Sequence, residues 1–164
     1  MKTLYLIRHA KSSWDNPQLD DHDRPLNNRG FKSIAIIAER IAEYDWHAQK
    51  LASSTALRAM TTATGLAEAI AGGQPAAAES ELYTFSQEGL KRYLQKQPDS
   101  ISCIALVGHN PAMEMLLDYL TEDRQLSKFP TCAIARLELD INRWDELDLG
   151  CGVLDEFEYP KKSK

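Results

Sequence analysis

The chain has 164 residues, 43% of them hydrophobic and 26% charged, with a formal net charge of −5 at pH 7. That length and balance predict one domain with a core of its own, not a disordered or fibrous chain. The acidic balance argues against a general nucleic-acid binder, and no apolar run approaches the ~20 residues that span a bilayer, so neither nucleic acid nor membrane is expected as a partner.

The run Thr3 to Ile7 is aliphatic, aromatic or β-branched and suits a buried parallel strand. It enters Arg8-His9 with no linker, and no signal peptide is expected ahead of it. Residues 11–28 are polar and dense in Asp, Asn, Ser and Pro, but Trp14 and Leu19 give them something to pack, which predicts an ordered loop. Asn27 or Asn28 can cap a helix whose Ile34, Ile37, Ile41 and Tyr44 form an apolar stripe, ending at Asp45-Trp46-His47. His22 and His47 are expected on the surface.

A short strand at about 50–53 leads to Ser54-Thr55-Ala56-Leu57-Arg58 and a helix that runs to Ala71 and closes at Gly72-Gly73. Arg58 then stands in the first turn of that helix, where a cation opposes the helix dipole. Either it tolerates a small penalty in solvent, or it and the helix amides converge on an anion. Residues 74–85 read as extended or irregular, with Leu82 to Phe85 as a possible edge element. Ser86 can cap a helix carrying Leu90, Tyr93 and Leu94.

Residues 101–107 are nearly all apolar, as in a central parallel strand, and run into Gly108-His109-Asn110-Pro111. Asn110 as N-cap with Pro111 in the first turn predicts a helix start. Met113, Leu116, Leu117 and Leu120 supply its buried stripe, and both Met113 and Met115 read as core filler. Residues 133–140 and 152–159 read as two more strands joined by a turn at Trp144-Asp145. Residues 161–164 read as a solvated basic tail to a domain spanning 1–160. Cys103, Cys132 and Cys151 are odd in number, show no C-x-x-C pattern and predict free thiols, hence a reducing cytoplasmic setting.

This order predicts an α/β three-layer sandwich, with a mostly parallel sheet and helices on both faces. Parallel connections bring Arg8-His9, Arg58 and His109 to one sheet edge, where open α/β folds bind ligands. Two arginines and two histidines there form an anion pocket, and the arginine fork suits phosphate oxygens. The common phosphate loops and a C-x5-R thiol loop are absent. The flanking arginines would repel a dication, so no metal and no other cofactor is expected.

Four segments carry a resemblance: Leu6-Ile7-Arg8-His9-Ala10-Lys11-Ser12; Arg24-Pro25-Leu26 with Gly30; Ser53-Ser54 with Arg58-Ala59 and Thr62-Ala63; and Val107-Gly108-His109-Asn110-Pro111. Together they resemble the histidine phosphatase superfamily, which has the phosphoglycerate mutase-like fold. The short length and the run Arg8 to Trp14 are nearest its SixA-like phosphohistidine phosphatases. The resemblance implies a metal-independent phosphatase in which His9 is the nucleophile and forms a covalent phosphohistidine. Arg8, Arg58 and His109 would hold the phosphoryl oxygens, and Arg24 and Ser12 would contact substrate or rim. Glu81, Glu79 and Asp15 are candidates for a proton donor, Glu81 foremost. The implied substrate is phosphohistidine on a protein partner. A small-molecule phosphomonoesterase with the same site and a catalytically silent phosphate-binding module remain as alternatives.

Overall fold

Strand β1 (Lys2–Arg8) is apolar on both faces and is buried on both: Leu4 and Leu6 join one layer of the core, Tyr5 and Ile7 the other. Each such side chain contributes roughly 1.5–3 kcal/mol when fully buried. The computed structural model describes residues 1–122 and 128–163. Its remaining elements are α1 (Asn28–Ala42), β2 (Lys50–Ser54), α2 (Leu57–Ala71), β3 (Ala77–Glu79), α3 (Gln87–Gln95), β4 (Cys103–Gly108), α4 (Ala112–Thr121), β5 (Ile134–Leu139) and β6 (Gly152–Glu158).

The six strands make one sheet in the order β3-β2-β4-β1-β5-β6. The four on the β3 side run parallel, while β5 is antiparallel to β1 and β6 to β5. Helices α1 and α2 cover the face that carries Tyr5 and Ile7, and α3 and α4 cover the face that carries Leu4 and Leu6. The α/β sandwich with a mostly parallel sheet is therefore the one expected.

Local chemistry sets the helix ends. Asn27 Oδ1 accepts from Gly30 N at 2.9 Å and starts α1, and Ser86 Oγ accepts from Glu88 N at 3.2 Å to start α3. Helix α2 stops at Gly72, whose φ of +62° suits glycine. Where α1 crosses α2, a Cβ on Gly65 would lie 2.5 Å from Ile34 Cγ2, so only glycine permits that approach.

Several expectations are corrected. The edge strand is Ala77–Glu79, and Leu82 lies in a 3-10 turn with Tyr83 to Phe85 after it. Tyr44 lies beyond α1, stacked on Trp46 at 4.5 Å instead of completing the apolar stripe. Met113 is buried, but Met115 is 49% exposed. Helix α4 begins after a cis Asn110–Pro111 bond, with Asn110 Oδ1 accepting from Glu114 N at 3.2 Å. The turn expected at Trp144-Asp145 is present as a 3-10 turn over Trp144–Glu146 between β5 and β6; Trp144 itself is fully buried, and its Nε1 donates to Ile101 O at 2.7 Å. The expected basic tail is described as far as Ser163, with Lys162 Nζ donating to Phe157 O; Lys164 lies outside the described residues.

Candidate active site

The sheet register fixes which residues meet. Arg8 at the end of β1 stands opposite Gly108 at the end of β4, and Ser53 near the end of β2 stands opposite Val107. The residues just past those three ends emerge together, as parallel pairing requires. His9 and His109 come within 5.1 Å, ring centroid to ring centroid. Arg58, in the first turn of α2, lies against both.

The tautomer of each histidine follows from its partners. His9 Nδ1 is 2.7 Å from the Ala10 carbonyl, which can only accept, so Nδ1 carries the hydrogen. Nε2 keeps its lone pair, and Arg58 Nε donates towards it across 3.4 Å. Arg58 Nη2 donates to His109 Nδ1 at 3.4 Å, so the His109 hydrogen is on Nε2, which donates to Ser54 Oγ at 2.8 Å. Thr62 ties the loop to the helix: its hydroxyl accepts from Ala10 N at 2.9 Å and donates to Arg58 O at 2.8 Å.

Both rings are neutral at pH 7. Burial lowers the His9 pKa from 6.5 to about 4; the Ala10 carbonyl opposes the shift, and Arg58, Arg8 and Arg24 reinforce it. Burial lowers His109 to about 3, with His9 and Arg58 adding to it. The set thus places one unprotonated nitrogen with a free electron pair among fixed cations, a combination suited to attack on an anionic electrophile.

Arg8 Nη1 donates to Phe129 O at 3.0 Å, while its buried Nε has no protein partner. Such an orphaned donor is costly unless something accepts from it. Arg58 is 3% exposed and is pinned from behind by Asp21: Nη2 donates to Oδ2 at 2.9 Å and Nη1 to the Asp21 carbonyl at 2.6 Å. Tyr83 OH donates to the same Oδ2 at 2.7 Å. Burial pushes the Asp21 carboxyl upward, but hydrogen bonds from Tyr83 and Arg58 outweigh it and hold the group well below the carboxylate range. Tyr83 and Phe85 then set their rings against His109 at 5.5 and 5.2 Å, and Phe85 is 48% exposed at the mouth.

The residues predicted around this centre divide. Arg24 and Ser12 are joined to each other in the loop. Arg24 also donates to Ser13 O and Asp21 Oδ1, both at 3.1 Å, and its guanidinium lies 3.2 Å from the Trp14 ring centroid. All three of its nitrogens brace the loop. Glu81 is exposed and paired with Lys96, Glu79 stands in the edge strand β3, and Asp15 is exposed. Among the described residues, no hydrogen bond or ion pair joins any of these three carboxylates to His9 or His109. Asp21 and Tyr83 are the site residues that sequence reasoning missed. His22 lies at the surface as expected, its side chain 41% exposed, but it is held there: Nε2 lies 2.8 Å from Thr55 Oγ1, and its ring packs edge-on to Tyr83. Among the described residues, no three or more His, Cys, Asp or Glu side chains are placed to hold a metal.

Residues 4–86 match the family model described as the histidine phosphatase superfamily, branch 1. An uncharacterised chloroplast protein of Arabidopsis thaliana is 32% identical over 155 residues, covering 88% of this chain and 70% of its own. An uncharacterised Mycobacterium tuberculosis protein is 28% identical over 166 residues, covering 94% of this chain and 100% of its own. A crystal structure from Agrobacterium tumefaciens, provisionally assigned as phosphohistidine phosphatase SixA, is 30% identical with a TM-score of 0.81, over 97% of this chain and 98% of that one. The protein histidine phosphatase SixA complexed with tungstate shares the fold, with a TM-score of 0.79 at 21% identity over 96% and 97%.

Proposed function

The chain belongs to the histidine phosphatase superfamily, and from that premise we propose that it is a phosphatase acting through a covalent phosphohistidine on His9, with phosphohistidine in a protein partner as its substrate. The observation that carries the reading is the pair of contacts on His9: Nδ1 bound to the Ala10 carbonyl at 2.7 Å and Nε2 open beside Arg58 Nε at 3.4 Å. A binding site alone has no need of an oriented, unprotonated nitrogen.

In the first step His9 Nε2 attacks phosphorus in line. The new N–P bond forms as the bond from phosphorus to the substrate's imidazole nitrogen breaks, and the departing ring takes up a proton from solvent. Water then attacks phosphorus, the bond to His9 breaks, and inorganic phosphate leaves. Arg8, Arg58 and His109 hold the phosphoryl oxygens, so catalysis is positioning and charge stabilisation. The Ala10 carbonyl stabilises the ring as it gains positive character.

The same electrostatics support the substrate class. The carboxylate nearest the arginines, Asp21, is held ionised and has no proton to give. A phosphoramidate leaving group needs little proton donation, whereas an alkoxide needs much. The half-exposed Phe85 at the mouth suits entry of a protein loop. The three free thiols fit a reducing, cytoplasmic setting.

The test is a rapid quench with labelled phosphoramidate, wild type beside His9→Asn. An acid-labile, base-stable label on wild type alone is expected. Label with turnover of phosphomonoesters but not of phosphohistidine would move the assignment to a small-molecule phosphomonoesterase. Absence of both label and turnover across those substrates would leave a phosphate-binding module.

A further inference from the structure

Behind the His9 loop lies a groove of about 580 Å3 whose lining includes Lys11, Arg29, Lys32, Lys128 and Lys161 and, among the described residues, no acid. All five cations are exposed. Among the described residues none of the five forms an ion pair, although the chain carries a net charge of −5. Elsewhere Arg24, Arg40, Arg58 and Arg136 are each matched to a carboxylate. Five like charges around one concavity, none matched to a carboxylate among the described residues, repel each other, and in an acidic protein they make a local field of opposite sign to the whole.

The groove adjoins the site along the backbone. Lys11 is two residues past His9, and its carbonyl accepts from Asn27 N at 3.0 Å at the entry to α1, which carries Arg29 and Lys32. On the other wall, Pro130 follows Phe129, whose carbonyl accepts from both Arg8 Nη1 and Asn110 Nδ2 at 3.0 Å. Ile36, Pro130 and Tyr159 give the lining an apolar share, and Ile36 is 39% exposed. Carboxylates on an otherwise apolar or small-residue segment match that lining; a nucleic-acid backbone matches only its cations.

We infer that this groove docks an acidic segment of the protein that presents the phosphohistidine, an inference that rests on the function proposed above. The segment engages the five cations while its phosphorylated histidine enters beside His9, so recognition and chemistry are separate surfaces that share the Lys11 loop and the Phe129–Pro130 turn. Charges at such a rim act on encounter and on salt dependence more than on the chemical step.

The test compares two synthetic phosphohistidine peptides, one with flanking glutamate runs and one with serine in their place, both phosphorylated with phosphoramidate. Wild type should process the glutamate peptide with a kcat/KM roughly tenfold higher, carried by KM and erased by added salt. The exposed pair Arg29→Glu with Lys32→Glu should remove that preference and leave the serine peptide unchanged. Equal rates on both peptides, or a preference that survives the double variant, overturn the inference. If neither peptide turns over, the proposed function fails, and docking is still decided by fluorescence anisotropy of the labelled, unphosphorylated glutamate peptide. Binding that the double variant abolishes supports the groove; no binding, or equally tight binding of an oligothymidylate of the same charge, overturns it.

Discussion

Arg58 and Asp21 are joined twice, side chain to side chain at 2.9 Å and side chain to backbone carbonyl at 2.6 Å, so the guanidinium cannot rotate without breaking both contacts. The fork is thereby fixed with Nε towards His9 and Nη2 towards His109. The acid therefore acts through the arginine as a positioning residue. Asp21→Asn should lower kcat about tenfold while KM stays level or falls, because a negative charge near the phosphate is removed and the side-chain half of the anchor is weakened while the backbone half remains. An unchanged kcat with a raised KM would contradict that role.

Losing the fork itself is more severe. Arg58→Ala should cost roughly a hundred- to a thousandfold in rate. Arg58→Lys should recover little of it, because a point charge cannot reach His9, His109 and Asp21 together. Full rescue by lysine in steady-state assays would mean that charge alone matters there.

The neutral histidines make stability depend on pH. Their folded pKa values, about 4 for His9 and about 3 for His109, lie below the unfolded value of 6.5. Below 6.5 the unfolded chain binds protons that the folded chain refuses, so stability is full above that pH and falls as pH drops towards 4 and then 3. The slope is at most on the order of 1.4 kcal/mol per pH unit per histidine. Urea denaturation at pH 7 and pH 5 should show the loss, and a His9→Asn, His109→Gln variant should show a flatter profile. Parallel profiles for the two proteins would refute the assignment.

Anion binding should reverse that preference in His109. Its Nδ1 is an acceptor facing Arg58, and it can hold a phosphoryl oxygen only by gaining a proton. Sulfate, a dianion throughout this range, should bind more weakly as pH rises from 5 to 8. Calorimetry in buffers of different ionisation enthalpy should register proton uptake in wild type but not in His109→Gln. A heat independent of buffer in wild type would falsify the linkage.

Gly30→Ala separates helix propensity from packing. Alanine is the better helix former, yet its Cβ would sit 2.3 Å from the Lys11 carbonyl and 3.2 Å from Leu26 Cβ. The Lys11 loop must shift, so a net destabilisation of ~1–3 kcal/mol is expected by denaturant melts. A reduced kcat should accompany it, since Lys11 follows the His9-Ala10 pair. A more stable, fully active variant would show that the loop yields at no cost.

What the sequence revealed follows from how each feature is encoded. Strands β1 and β4 are apolar on both faces, and their ends in Arg8-His9 and Gly108-His109 mark one sheet edge without any knowledge of side-chain geometry. Asp21 carries no such mark. It sits in a loop with Asp15, Asp20 and Asp23, where no periodicity distinguishes one acid from another, and only the placement of Arg58 singles it out. The edge strand escaped for a related reason. Ala77-Ala78-Glu79 has little strand propensity and pairs only because β2 offers an open side. The aromatic residues after it look more like a strand, but Tyr83 bonds to Asp21 and flanks His109 instead.

The stacking of Trp14 on Arg24 gives the loop an optical signature. Trp14 is 77% exposed, whereas Trp144 is fully buried. A collisional quencher such as acrylamide therefore reaches the first indole and not the second. With the half-buried third indole removed by Trp46→Phe, red-edge emission reports on the Ser12–Arg24–Asp21 brace, while the shielded blue component serves as an internal standard for the core. The order of the loop that carries Arg58's anchor can thus be followed by intrinsic fluorescence in unlabelled protein.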